Sequence, residues 1–343
     1  MKSNILVTGG AGFLGSHFVR LKLQSGSSSV TNVDSLTYAG DQRRLADVSG
    51  SDDYNLVQLD IADEAPIDAL IAGLKPDAIV HYAAESHVTR SENDPDRFYR
   101  TNVEGTRVLL DAAVAAGVPR FLHVSTDEVY GSTLEGAFKE SDKPEGAGNA
   151  ASPYSKSKAL ADDLARSYAD RLEVLVVRPT NAFGPWQYPE KVFPRWVTRG
   201  LRQEPMLVWG DGLYIRQWLY AEDFARAVAL VLEKGENGEA YNIGPVHEPE
   251  ITNLDLARWL AQYLKLPADA IQMTGYDRPD HDRRYAVDST KIRALGWRSG
   301  DVWSQFSESV NWFRDHRDWW ESLIAEAESI YADAAPAGKA APA

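Results

Sequence analysis

Two short stretches place ionisable side chains where they could move protons. In HVSTDEVYGS (residues 123–132), Asp127 and Glu128 adjoin each other directly behind Ser125 and Thr126. They follow the apolar run RFLHVS, which reads as a buried strand, so the pair stands where that strand ends. Adjacent carboxylates repel, and burying them costs free energy unless something uses or pairs them. The plain alternative is a strand cap or a partner for nearby arginines. In SPYSKSKALADDLA, Tyr154 and Lys158 are four residues apart and share one face of a helix. Ser152 suits the N-cap of that helix and Pro153 its first turn. An ammonium beside a phenol lowers the phenol's pKa and makes it a usable base at neutral pH.

A third stretch supplies the setting. ILVTGGAGFLGSHFV carries Gly9, Gly12 and Gly15 between a strand and a helix, with Phe13 and Leu14 inside the turn. Glycines there permit a tight turn and close backbone approach to a pyrophosphate seated at a helix N-terminus. Asp34 ends the next strand, where an acid binds a ribose 2′-hydroxyl in dinucleotide-binding folds. The same carboxylate repels a 2′-phosphate, which selects NAD over NADP as cofactor. Asp60 and Ile61, at the end of the third strand, are candidates for the adenine side; a strand cap is the competing role. A bare tyrosine–lysine pair could decorate a surface, but behind a dinucleotide fingerprint it reads as catalytic.

The elements that hold these residues are short β-rich runs alternating with amphipathic stretches. NILVTG, SVTNVDS, NLVQLD, AIVHYAA, RFLHVS and LEVLVVRP read as strands, with GSHFVRLKLQS and TNVEGTRVLLDAAVAAG among the helices. Continuous apolar strands separated by helices indicate an α/β fold, a doubly wound parallel Rossmann sheet covered on both faces. This unit is expected over residues 1–180. Beyond RPTNAFGPW, aromatics, prolines and arginines thicken, and residues 181–330 read as a smaller C-terminal α+β substrate-binding lobe. The strand-like EAYNIG is a segment that could return to the first sheet. Residues 331–343 form an Ala/Pro-rich tail expected to be disordered.

The chain has 343 residues, no cysteine and a formal net charge of −14. Without cysteine there is no disulfide, thiolate metal site or cysteine nucleophile, which suits a cytoplasmic setting. The acidic balance argues against nucleic acid or an anionic membrane as partner. The seven histidines are scattered without metal-ligand spacing, so no metal is expected. MKSNILVTGG runs straight into strand and turn, which predicts no signal peptide, and no apolar run is long enough to span a bilayer.

With these motifs in place the chain resembles the extended short-chain dehydrogenase/reductase family over almost all of residues 1–320. Within it, the chain is most similar to the dTDP-glucose 4,6-dehydratases. The resemblance rests on DSLTYAG, AAESHV, STDEVYGS, YSKSKA, GPWQYPEK, GDGLYIRQWLYAED and DHDRRYAVD. It implies NAD chemistry on a nucleotide sugar in which Tyr154, supported by Lys158, deprotonates the C4 hydroxyl as hydride leaves C4. Glu128 then removes the C5 proton, Asp127 protonates the departing C6 hydroxyl, and Thr126 hydrogen-bonds the C4 oxygen. Two carboxyls with separated pKa values are what such an elimination needs. The resemblance also places Ala83 and Ala84 at the nicotinamide end, Ser86 and His87 toward the substrate, and Asn102 in support of the cofactor or the tyrosine. Asn181, Lys191, Arg216 and Arg278 match family positions near the substrate, with Asn253 and His281 as further candidates. A guanidinium can hold phosphate oxygens bidentately, which favours Arg216 and Arg278 for the diphosphate.

The chain departs from the family pattern at Thr89, Ala182, Phe183 and Gln217, and at Leu207 and Trp209, where a proline and a tyrosine commonly help form the base pocket. Three readings stay open: a 4,6-dehydratase, a UDP-sugar 4-epimerase or 5,6-dehydratase of the same family, and a non-catalytic nucleotide-binding protein. The family resemblance implies a homodimer, with the helix of Tyr154 and Lys158 paired against the one before it. The test of the cofactor reading is a side-by-side titration with NAD and NADP. NAD is expected to bind more tightly, and tighter NADP binding would remove Asp34 from the ribose.

Overall fold

The computed structural model describes residues 2–142, 144, 152–275 and 283–331. Seven parallel strands form the central sheet: β1 (Ser3–Thr8), β2 (Ser28–Asp34), β3 (Tyr54–Gln58), β4 (Ala78–His81), β5 (Arg120–Val124), β6 (Glu173–Pro179) and β7 (Ala240–Ile243). Their order is β7-β6-β5-β4-β1-β2-β3. Because successive side chains alternate, each strand feeds two cores. Ile5 and Val7 of β1 pack on one face with Phe18, Val19, Phe224 and Val228, while Leu6 packs on the other with Ile67, Leu109 and Phe121. All of these are buried, and each large apolar side chain so buried contributes about 1.5–3 kcal/mol. That two-sided burial is why the strands read as continuous apolar runs.

The helices α1 (Phe13–Gln24), α2 (Glu64–Leu74), α3 (Gly105–Ala116), α4 (Pro153–Arg166) and α5 (Ala221–Lys234) cover the sheet. The first and last of these pack together on one face, and the other three occupy the opposite face. Ser152 caps α4, its side chain accepting from Ser155 N, and Pro153 opens the helix. Gly117, with φ of 66°, closes α3 in the left-handed region, which glycine enters without a Cβ clash. Residues 221–243 lie beyond the boundary expected near 180, yet they return to the sheet as α5 and β7, with β7 pairing β6 from Ala240 opposite Val176.

The lobe gathers helices Val192–Leu201, Asn253–Leu264 and Val302–Asp315 around an aromatic core. Phe183 and Phe306 meet there with ring centroids 4.4 Å apart. The C-terminal segment then crosses back over the cofactor side. Trp319 Nε1 donates to Asp41 Oδ2 at 2.8 Å, and the Tyr331 hydroxyl donates to the Glu190 carbonyl.

A fully buried ion pair ties the helix of Tyr154 to the sheet: Arg178 of β6 grips Asp162 of α4 bidentately, at 2.9 and 2.8 Å. Removing one partner leaves an uncompensated buried charge. Asp162→Asn is therefore expected to cost about 3–5 kcal/mol in chemical denaturation, and an Asp162→Leu/Arg178→Met double variant clearly less. Equal losses in both would show that the pair's charge is not what the helix depends on.

Candidate active site

The strand order reverses between β1 and β4, and a cavity of about 610 Å³ opens at their carboxyl ends. There the two backbones nearly touch: a Cβ on Gly9, whose φ is 71°, would stand 2.6 Å from Ala83 N. A Cβ on Gly15 would stand 2.3 Å from Gly9 O. Only glycine fits at either place. Gly12 precedes α1 without any side-chain cap, so the first N–H groups of that helix face the cavity for an anion. Asp34 accepts from Ala11 N and Leu36 N, both at 2.9 Å, and lines the same cavity. Arg44, buried, donates to Ala11 O and Ala39 O and so ties the glycine turn to the loop after β2. The glycine cradle, the open helix N-terminus and the acid at the second strand fit a dinucleotide.

The proton-handling groups share this cavity. Thr126, Asp127, Glu128, Tyr154 and Lys158 all line it. Asp127 is 4% exposed, and its Oδ2 has no hydrogen-bond partner among the described residues. Burial, then the neighbouring Glu128 charge, pushes its pKa up to about 8, against the pull of Thr126 and Arg216. A carboxyl so placed keeps its proton at neutral pH. Glu128 is less buried and accepts from Ser155 Oγ at 3.3 Å. Ser125 Oγ, Asn181 Oδ1 and Gln187 Oε1 are likewise buried without partners among the described residues. All three residues line the cavity, so these are groups for a ligand to satisfy.

Tyr154 departs from the sequence-based expectation. Its pKa is raised, not lowered, first by burial and then by the charge on Glu128, with a Thr126 hydrogen bond opposing. Lys158, pushed down to about 8 by its own burial, gives its ammonium to Val124 O at 2.7 Å. In this enclosed site desolvation sets the direction for the phenol, an effect that the i,i+4 spacing alone does not carry.

Phe13, Leu14, Asp60, Ile61, Ala83, Ala84, Ser86, Asn181 and Lys191 line the cavity beside the glycines, and Lys191 Nζ donates to Ser86 O at 3.0 Å. Asn102 stands one layer back, bonding Glu85 N, Glu85 O and Ser157 Oγ. His87, Trp209, Arg216 and Asn253 lie outside this cavity's lining. His87 and Trp209 meet at Tyr331, whose ring lies 6.1 and 5.9 Å from theirs. Arg216 lines a second cavity but is close enough for its charge to act on Asp127. Arg278 and His281 fall outside the described residues. Gln217, one of the departures, both accepts from Val287 N and donates to Val287 O, which a carboxylate could not do. Gln187, Tyr188 and Glu190, within GPWQYPEK, also line the cavity without a sequence signal of their own. Tyr331, expected to open the disordered tail, instead bonds the Glu190 carbonyl and packs against Trp209.

Fold and site together define an NAD-binding enzyme of the doubly wound class, carrying a tyrosine–lysine pair and an acid pair. The family model for the NAD dependent epimerase/dehydratase family matches residues 5–244. The dTDP-glucose 4,6-dehydratase of Streptomyces niveus is 44% identical over 95% of this chain and 97% of its own. The low-salt glycan biosynthesis protein Agl12 of Haloferax volcanii is 45% identical over 86% and 93%. Among solved structures, the Streptomyces venezuelae dTDP-glucose 4,6-dehydratase DesIV, with NAD bound, superposes with a TM-score of 0.88 at 43% identity, covering 93% of this chain and 99% of that one. This chain belongs to the NAD dependent epimerase/dehydratase family.

Isotope-edited infrared spectroscopy tests the acid directly. A protonated carboxylic C=O band is expected at pH 7, lost as pH rises through about 8 and absent from Asp127→Asn. A site fully ionised at pH 6 would show that Asp127 is no acid.

Proposed function

We propose that this chain dehydrates dTDP-glucose to the 4-keto-6-deoxy sugar in an NAD-dependent cycle closed within one site. The observation that carries this reading is Asp127, a carboxyl buried in the cavity wall with Oδ2 unpartnered among the described residues, set directly beside the less buried Glu128. Epimerisation at C4 needs the phenol and the lysine but has no use for an acid next to a base. Elimination uses both. Relatives of similar length named dTDP-glucose 4,6-dehydratase support the nucleotide.

NAD, when bound, accepts the hydride from C4 and supplies one to C6. Tyr154 takes the C4 hydroxyl proton, and the Thr126 hydroxyl and the Lys158 charge favour the phenolate against the burial that opposes it. The C4 ketone acidifies C5, from which Glu128 takes the proton. Asp127 gives its proton to the C6 hydroxyl, which leaves as water. Glu128 then returns its proton to C5, and the proton taken by Tyr154 restores Asp127, which resets the site. Ser86, Asn181 and Lys191 hold the sugar end; Arg216, Trp209, Asn253 and His87, with Arg278 and His281, serve the diphosphate and base. Residues 1–180 with β7 and α5 form the cofactor unit and the remainder to residue 330 the substrate lobe. The protein works as a cytoplasmic homodimer paired through α3 and α4; Leu160, half exposed on α4, supports that surface.

Incubation with a panel of nucleotide-glucoses, followed by mass spectrometry, is expected to show water loss from dTDP-glucose. With Trp209 and Leu207 at the base in this reading, an apolar contact discriminates a single methyl weakly, so UDP-glucose should be turned over within about two orders of magnitude in kcat/KM. Epimerised product without water loss would move the chain to the sister activity. In single turnover, Glu128→Gln should let bound NADH and a 4-keto sugar accumulate, whereas equal impairment of oxidation and elimination would deny Glu128 its role. Asp127→Asn should recover much of its activity on a 6-fluoro substrate, whose leaving group needs no proton.

A further inference from the structure

Beneath the loop of Ala83 to Ser86 runs a buried row of polar groups that the dehydration chemistry never touches. Thr8 ends β1, His81 ends β4, and Thr106 lies in the first turn of α3; none is more than 1% exposed. Thr8 Oγ1 lies 2.7 Å from His81 Nδ1, and His81 Nε2 lies 3.0 Å from Thr106 Oγ1. Thr106 Oγ1 donates to the Asn102 carbonyl at 2.6 Å, and Ala83 N donates to Thr8 Oγ1 at 3.3 Å.

The direction of every bond in this row is set from its end. A carbonyl only accepts, so the single Thr106 proton is committed to Asn102 O, and Thr106 can only accept from His81. His81 Nε2 therefore carries a hydrogen. Burial pushes the imidazole's pKa down to about 3, with the Lys158 charge adding to the effect, so the ring is neutral and Nδ1 accepts from Thr8. Thr8 is then free to accept from Ala83 N.

The far end of the row reaches the catalytic helix. Asn102 belongs to a π-helical turn, Arg100–Glu104, of the kind that recurs at functional sites. Its side chain spans both backbone groups of Glu85 and the Ser157 hydroxyl, at 2.9, 3.0 and 2.9 Å. Ser157 Oγ donates to the Tyr154 carbonyl at 2.8 Å. One unbroken set of bonds thus joins the loop at the end of β4 to the first turn of α4.

We propose that His81, as its Nε2–H tautomer, is a positioning residue for C4 oxidation, setting the Ala83–Ser86 loop against the turn that bears Tyr154. The inference rests on the proposed dehydration for the step it affects. Its isosteric test is Thr106→Val, which removes the hydroxyl, with Thr106→Ser restoring it. In stopped flow with dTDP-glucose, reduction of bound NAD should slow about tenfold or more in Thr106→Val, as expected when a small misplacement disturbs reacting groups. Substrate affinity and water loss from dTDP-4-keto-glucose, which needs no oxidation, should stay within about twofold of wild type. The serine variant should recover most of the rate. Nitrogen NMR of the wild type should find His81 neutral with hydrogen on Nε2.

A normal oxidation rate in Thr106→Val, or hydrogen on Nδ1, would overturn the inference. So would a uniform loss of oxidation, elimination and affinity that serine fails to rescue, since that is plain structural damage. A wild type inactive on every nucleotide sugar would instead overturn the proposed function, which keeps the two failures apart.

Discussion

The approach of β1 to β4 at their carboxyl ends is the constraint on which this molecule depends. Gly9 and Ala83 come so close that no side chain fits on the glycine. From that point the glycine turn leads into α1, the loop of Ala83 to Ser86 leads toward the sugar end, and the sheet divides into its two directions of growth. A cofactor seated on the helix N-terminus is thereby fixed relative to the segments that leave β4 and β5. The chain leaving β5 runs directly into Thr126, Asp127 and Glu128, and the first turn of α4 packs against them.

Burial then assigns the chemistry. The same loss of hydration raises the carboxyl of Asp127 and the phenol of Tyr154 and lowers the ammonium of Lys158, because each shift disfavours a charge. For Asp127 this is useful as it stands, since a leaving hydroxyl needs a proton. For Tyr154 it is an obstacle, which the Thr126 hydroxyl opposes only in part. Asp127 and Glu128 are chain neighbours, yet they differ in depth, and in the proposed elimination that difference separates acid from base.

The surrounding lobe is held to this centre by long-range bonds more than by local pattern. Arg44 reaches three carbonyls from the glycine turn to Trp186, Trp319 anchors the C-terminal segment on Asp41, and Tyr331 closes on Glu190 between His87 and Trp209. The lobe's aromatic core keeps these anchors in register with the cavity wall.

The sequence by itself determined the sheet, the cofactor turn and the candidates for the reacting groups. Strands buried on both faces must be apolar throughout, a glycine cradle admits no substitute, and an i,i+4 pair is fixed by helix geometry, so each leaves a mark within a few residues. The strand of Ala240–Ile243 and its possible return to the sheet were legible in the sequence, but its partner was not, since pairing with Glu173–Pro179 is decided across the fold. The protonation of Asp127, the raised phenol of Tyr154, the withdrawal of Asn102 behind the cavity and the tautomer of His81 were decided by tertiary structure alone. Hydration and hydrogen-bond direction depend on everything packed around a group, and for these residues that packing comes from segments remote in the chain.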